Sequence, residues 1–278
     1  MREDRFKVSH LCDALGVHRN GYYQWLNSSE STYQQQDQKL TPMIQEVFFQ
    51  HRRRYGARRI SKKLKDRGES CSRTKARKIM EQTGLVAIQP RSFKPRTTES
   101  RHKLGYSPNL LLKGIEVERI NQVWVGDITY IPLPKSFAYL AMLMDLYSRK
   151  IIGWSLELNM EEPLVIAAVR QAIQARLPAK GLIHHTDRGG QYAGKKYRKV
   201  LSRTKMLQSM SRAGDCYDNA FMESCFGTIK TELEMTSYVS IQKAKEEIRE
   251  YINYYNVLRR HSAIDYLSPT SVEATLDH

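Results

Sequence analysis

The chain has 278 residues, 41% of them hydrophobic and 27% charged, enough to bury a full core and to form one large or two to three small domains. No apolar run approaches the ~18–20 residues of a membrane span, and no apolar leader follows the charged start Met1–Lys7, so the expected location is the cytoplasm. The net charge of +16 is unevenly placed: residues 1–114 carry 24 Lys and Arg against 10 acids, and residues 115–278 carry 21 against 19. A basic half joined to a nearly neutral half implies that one part neutralises phosphates while the other holds chemistry.

Residues 7–26 read as two short helices, with Val8, Leu11 and Leu15 on one apolar stripe, Gly16 at the break, and Tyr22, Trp25 and Leu26 on the second. This is a helix-turn-helix-like segment within 1–30. A basic helical module follows over 38–90. Thr41-Pro42 reads as the cap and first position of a helix that buries Leu40, Ile44, Val47 and Phe48. The cation-rich run 51–65 buries Ile60 and Leu64 and offers Arg53, Arg54, Arg58 and Arg59 as candidate DNA contacts. Ser72 caps a third helix, and Leu85–Ile88 reads as a short strand, which suits a winged-helix-like DNA-binding module. Residues 91–114 read as a basic linker.

From about Gln122 the pattern changes to β-branched and aromatic runs. Strands are predicted at Val123–Ile131, Phe137–Met144, Ile151–Leu158 and Leu182–His184. Helices are predicted at Pro163–Arg176 and Tyr192–Arg203, then a loop over Ser209–Asp218, then a helix carrying Glu223. The order predicts a mixed α/β core over 115–235 and a helical extension over 236–278. In that extension the Tyr251, Tyr254, Tyr255 stripe, spaced with Ile248 and Ile252, reads as packing rather than as a platform for bases. The scattered Cys12, Cys71, Cys216 and Cys225 have no zinc-like spacing and read as free thiols.

Three acids stand out. Asp127 lies mid-strand, where an unpaired carboxylate is costly unless a cation or donor meets it. Asp187 precedes Arg188-Gly189-Gly190, a turn where backbone can approach a ligand. Glu223 follows Asp187 with 35 residues between them, and Asn219 and Lys230 share its helix face. Alone, each acid reads as a cap, an ion-pair partner or a solvated side chain. Together they are donors fit for Mg²⁺, which prefers oxygen ligands.

The segments Trp124-Val125-Gly126-Asp127-Ile128-Thr129-Tyr130-Ile131, His185-Thr186-Asp187-Arg188-Gly189-Gly190-Gln191-Tyr192 and Asp218-Asn219-Ala220 through Glu223 to Lys230 resemble the Asp-Asp-(35)-Glu core of retroviral integrases and bacterial transposases. The whole chain is similar to the second-reading-frame transposase of the insertion sequence three family. Gly16–Trp25, Arg54–Ile60, Lys78–Met80, Tyr255-Asn256, Arg259, His261 and Ser268-Pro269 carry the rest of the likeness. Arg260 stands where that family often has proline, and Ala57 where it usually has a larger residue. The resemblance implies an RNase H-like fold with Asp127, Asp187 and Glu223 holding Mg²⁺ (or Mn²⁺), two ions in all. It implies Lys230 on DNA and support for the acids from Asn219 and His185. It also implies cleavage at the element's terminal repeats followed by strand transfer to target DNA by a homo-oligomer, and a first-reading-frame partner joined by frameshifting. No heptad run appears here, so the chain reads as the second-frame part. A DNA-binding regulator with an inert core, or a nuclease without strand transfer, are the alternatives.

Overall fold

The computed structural model describes residues 7–27, 32–89, 105–211, 220–235 and 237–276. They form two compact units, Met1–Ala87 and Ile88–His278. Among the described residues no helix is long and apolar enough to cross a membrane.

The first unit is all helical. Helix α1 (Val8–Leu15) ends at Gly16, whose φ of +64° favours glycine, and α2 (Arg19–Leu26) follows. Helix α3 (Thr32–Gln50) begins well before the expected cap at Thr41, and Pro42 lies inside it. The proline removes one backbone donor, but Leu40, Ile44, Val47 and Phe48 are buried as one continuous stripe across it. The hydroxyl of Thr41 donates to the Asp37 carbonyl at 2.7 Å, which keeps that turn helical. The cationic helix α4 (Ala57–Asp66) occupies the later part of the run 51–65, after Arg52 and Arg53 turn the chain with φ of 49° and 62°. Helix α5 (Arg73–Gln82) is capped as predicted, the Ser72 hydroxyl accepting from the Lys75 amide at 3.1 Å. The strand expected at Leu85–Ile88 does not form. Leu85 and Ala87 pack against the core of α3, α4 and α5 as irregular chain, so among the described residues this unit has the helices of a helix-turn-helix and no strand.

The second unit is built on a five-stranded sheet in the order β3-β2-β1-β4-β5: β1 (Val123–Pro132), β2 (Phe137–Asp145), β3 (Ile151–Glu157), β4 (Ile183–Thr186) and β5 (Leu207–Met210). Strand β1 is central, antiparallel to β2 and parallel to β4. The fifth strand was not expected, and its last two residues, Ser209 and Met210, fall in the predicted loop. Its four residues pair in parallel with β4 and are too few to show a strand period in sequence.

Alternation along β1 sorts the two faces. Trp124 points into a core shared with α6 (Glu162–Arg176), α7 (Gly190–Ala193) and α8 (Lys195–Arg203). The single helix predicted over Tyr192–Arg203 is broken at Gly194. A Cβ there would lie 2.2 Å from the Glu162 carboxylate, which accepts from the Tyr197 amide at 2.7 Å and so caps α8. Val123 and Val125 point to the other face, against α9 (Ala220–Glu232) and α10 (Ile241–Val257).

The stripe Ala244, Ile248, Tyr251, Ile252, Tyr255 of α10 is buried in that same core, as the packing reading of the tyrosines required. The segment from 236 onward is therefore integral to the sheet domain rather than an appendage to it. Asn256 makes this concrete: its amide pairs with both the N–H (2.9 Å) and the C=O (2.8 Å) of Ile151 on edge strand β3. On the opposite edge, the Ser209 hydroxyl of β5 accepts from the Leu110 amide at 2.9 Å, so part of the expected linker seals the sheet.

Helix α6 packs so closely on β3 that a Cβ at Gly153 would meet the Ala168 carbonyl at 2.3 Å. Gly153→Ala is expected to destabilise the chain by about 1–3 kcal/mol, whereas Gly227→Ala, on α9 with nothing within 4 Å, is expected to be stabilising or neutral. Denaturant unfolding of the two variants checks this pair.

Candidate active site

Asp127 projects from β1 on the α9 face, and its own neighbour Ile128 donates an N–H to it at 2.7 Å. Strands β1 and β4 pair in parallel with Val123 opposite Ile183 and Val125 opposite His185. Extending that register by two residues brings Asp187, just beyond the end of β4, opposite Asp127 and on the same face. The Asp187 carboxylate accepts from the Gly189 amide at 2.9 Å. A Cβ on Gly189 would stand 3.0 Å from that same oxygen, so glycine is what lets the turn close on the carboxylate.

The three acids act on one another electrostatically. Asp127 is pushed well above the usual carboxylate range, chiefly by burial and next by the charge of Asp187; the Ile128 N–H opposes the shift, Glu223 adds to it, and Lys230 opposes it. Helix α9 therefore brings both Glu223 and Lys230 within electrostatic reach of the strand. Glu223 is exposed and Lys230 is half-buried. Burial lowers the Lys230 pKa while Asp127 holds it up. Among the described residues no set of three His, Cys, Asp or Glu side chains is close enough together to hold a metal ion. Of the two other acids, Asp187 acts on Asp127 more strongly than Glu223, which lies on the first turn of α9, directly after residues 212–219.

Asn219 lies outside the described residues. His185 is fully buried two residues before Asp187, its Nδ1 2.8 Å from the Ser209 hydroxyl on β5. It packs beneath the Asp187 turn as part of the sheet. Tyr192 was not singled out by the sequence. It is buried, and its phenol is pushed well above its ordinary value by burial first, then by Asp127, Tyr197 and Asp187, so it stays protonated beside the acids. Its signal was its place in Gly189-Gly190-Gln191-Tyr192, four residues of turn and helix that return to the site.

The four candidate DNA-contact arginines belong to the first unit and divide into two kinds. Arg53 and Arg58 are exposed. Arg54 and Arg59 are half-buried, the Arg59 guanidinium donating to the Arg54 carbonyl at 3.1 Å and lying 5.5 Å from the Tyr55 ring centroid.

Residues 117–216 match the family described as integrase core domain, residues 204–269 match a second family of the same description, and residues 35–93 match the HTH-like domain family. The chain is 35% identical over 272 residues to the transposase InsF for insertion sequence IS3A of Escherichia coli, covering 96% of this chain and 94% of that one. It is 39% identical over 236 residues to the transposase for insertion sequence element IS904 of Lactococcus lactis, covering 84% and 93%. The chain belongs to the insertion sequence three family of transposases. A third relative, the IS600 uncharacterized 31 kDa protein of Shigella sonnei, is 37% identical over 263 residues, covering 94% and 96%. Among solved structures, the HTLV-2 integrase catalytic core domain in complex with magnesium aligns with a TM-score of 0.44 at 18% identity, covering 55% of this chain and 95% of that one. That likeness is too loose to carry weight beside the family matches. The transposase thus has an RNase H-like integrase core, a helix-turn-helix-like DNA-binding region, and the polynucleotidyl transfer chemistry of its superfamily.

Because its carboxylate is raised by burial and like charge, Asp127 stabilises the metal-free transposase only while protonated, and that contribution is lost as pH rises through its elevated pKa. Asp127→Asn is therefore expected to raise the melting temperature of the metal-free transposase near neutral pH by roughly 2–4 °C, about 1 kcal/mol. The gain should shrink toward acid pH, where the wild-type carboxyl is itself protonated. Scanning calorimetry at a series of pH values measures both.

Proposed function

We propose that this transposase cuts the terminal repeats of its element and joins the freed 3′-hydroxyls to target DNA, with Asp127, Asp187 and Glu223 as the metal-holding acids. The observation that supports the reading is the placement of Asp127, midway along β1, beside Asp187 at the exit of the neighbouring β4, within the field of Glu223 and Lys230 on α9. The donor set fits Mg²⁺, or Mn²⁺ in its place: all ligands are carboxylate oxygens, and their mutual repulsion is what a hard divalent cation relieves. When bound, two such ions would activate the attacking hydroxyl and stabilise the leaving oxygen of an in-line phosphoryl displacement.

The chain's own residues do the rest. The turn at Gly189 and the Ile128 amide fix the two carboxylate rotamers before DNA arrives. Lys230, on the same helix stripe as Glu223, binds a phosphate flanking the scissile bond. Tyr192 remains a neutral donor at the floor of the site. His185 and Asn219 are read as supporting residues, His185 through the strand that ends at Asp187.

Residues 1–114 carry nearly all of the surplus positive charge and deliver the nearly neutral core to DNA, with Arg53, Arg54, Arg58 and Arg59 as phosphate contacts. We further infer that the active form is a homo-oligomer holding two element ends, that it works at the nucleoid in the bacterial cytoplasm, and that the first-reading-frame product joins it, as a frameshift fusion, for end recognition. The domain limits that go with this reading are 1–30 and 38–90 for the DNA-binding modules, 91–114 for the connecting segment, and 115–235 for the catalytic core, with 236–278 joined to that core as part of the sheet domain.

Incubation with labelled terminal-repeat DNA and Mg²⁺ or Mn²⁺ tests the reaction. Nicked and joined products are expected from the wild type, with a loss of at least roughly 10³-fold for Asp127→Asn, Asp187→Asn or Glu223→Gln. Nicks without joined DNA would reduce the activity to a nuclease, and binding without cleavage would leave a regulator. A separate titration of DNA binding against salt is expected to lose about 0.9 from its log–log slope for each cation removed, as in Arg58→Ala. Arg59→Ala is expected to lower thermal stability as well, since its guanidinium holds the turn at Arg54.

A further inference from the structure

Helix α9 carries Glu223 and Lys230, and its apolar side (Met222, Cys225, Phe226 and Ile229) lies against the sheet core. Such contact is not directional, and a helix held only this way can rotate or slide. Its last residue, Glu232, supplies direction. Nine residues beyond Glu223, at 100° per residue, Glu232 points about 180° away from it, while Lys230 returns to within about 20°.

Glu232 and Arg259 are 7% and 4% exposed. The Arg259 Nε donates to both Glu232 oxygens at 3.0 Å, Nη2 donates to Oε1 at 2.8 Å, and the Tyr251 hydroxyl donates to Oε2 at 3.0 Å. The remaining Nη1 faces the His261 ring at 3.1 Å, and Tyr255 packs on the guanidinium from α10. Arg259 is itself fixed to the sheet from both sides in sequence. Before it, Asn256 pairs with the backbone of Ile151 on β3. After it, Glu273 on α11 (Pro269–Ala274) binds Ser148 at 2.8 Å and Lys150 at 2.6 Å in the β2–β3 turn, and Arg176 at the end of α6.

We propose that Arg259 and Glu232 are positioning residues: a fork-like grip, braced on the sheet by the C-terminal segment, that fixes the rotation of α9 and so aims Glu223 at Asp127 and Asp187. A buried pair of this kind adds little net stability over apolar side chains of similar volume. Its distinctive contribution is orientation. The proposal rests on the reading of Glu223 as a metal ligand.

The test is Mn²⁺ binding to the full chain, followed by electron paramagnetic resonance. Four proteins suffice for the core comparison: wild type, Glu223→Ala, the double variant Glu232→Met with Arg259→Met, and the triple variant. The double Met variant leaves no lone buried charge and is expected to fold, with a melting temperature close to wild type. Mn²⁺ binding is expected to weaken about tenfold in it, with no further weakening when Glu223→Ala is added. Arg259→Lys, which keeps the charge but loses the fork, should weaken binding in the same direction while terminal-repeat DNA affinity stays unchanged. Wild-type Mn²⁺ affinity in the double Met and Lys variants, or weakening that adds in full to that of Glu223→Ala, would overturn the positioning role. Unchanged Mn²⁺ affinity in Glu223→Ala would instead overturn the ligand reading on which it rests.

Discussion

Two carboxylates held side by side repel each other, and the rest of the sheet domain serves to hold them there. Asp127 sits in the middle of β1 and Asp187 just beyond the end of the neighbouring β4, and burial and like charge push the Asp127 carboxyl well above its usual range. Such an arrangement persists only if the frame cannot relax. Here β1 is hydrogen-bonded on both sides, each face of the sheet is covered by helices, and both edges are closed by side chains or loop backbone. The electrostatic strain is local, and it is of the sign that a divalent cation and a substrate phosphate relieve together.

The support comes from a different part of the chain at each corner. Asp127 depends on β1, Asp187 on a glycine turn that a side chain would block, and Glu223 on a helix braced through Arg259 by the C-terminal segment. The tail residues Asn256, Arg259, Ser268 and Glu273 therefore have definite structural tasks. Asn256 closes an edge strand, Arg259 grips α9, Ser268 caps α11 by accepting from the Ser271 amide, and Glu273 ties α11 to the β2–β3 turn and α6. Charge is divided along the same lines. The surplus lies in residues 1–114, while residues 115–278 keep their cations close to balance with their acids.

Much of this was legible in the sequence, for identifiable reasons. The long strands β1, β2 and β3 carry enough β-branched and aromatic residues to declare themselves, and the faces assigned to Val125, Asp127 and Trp124 follow from strand alternation. The acids were found from their local contexts. What stayed hidden depends on tertiary contact. The four residues of β5 are a strand only because β4 lies beside them. Helix α3 passes through Pro42 because a buried stripe outweighs one lost hydrogen bond. Leu85 and Ala87 are apolar enough to suggest a strand, yet they have no partner strand and pack on helices instead. The tail resembled a helical extension because Glu232 and Arg259 are 27 residues apart, and nothing local marks them as a pair.

The central claim is that the paired strand acids and Glu223 form one metal site. Anomalous diffraction from crystals of the full chain soaked in Mn²⁺ tests it most directly. The account predicts a manganese peak held by Asp127 and Asp187, with a Glu223 carboxylate oxygen ligating manganese in the same site. Manganese bound away from Asp127 on β1 and Asp187 at the β4 exit, or held by the two aspartates with Glu223 turned to solvent on a well-ordered α9, would contradict it.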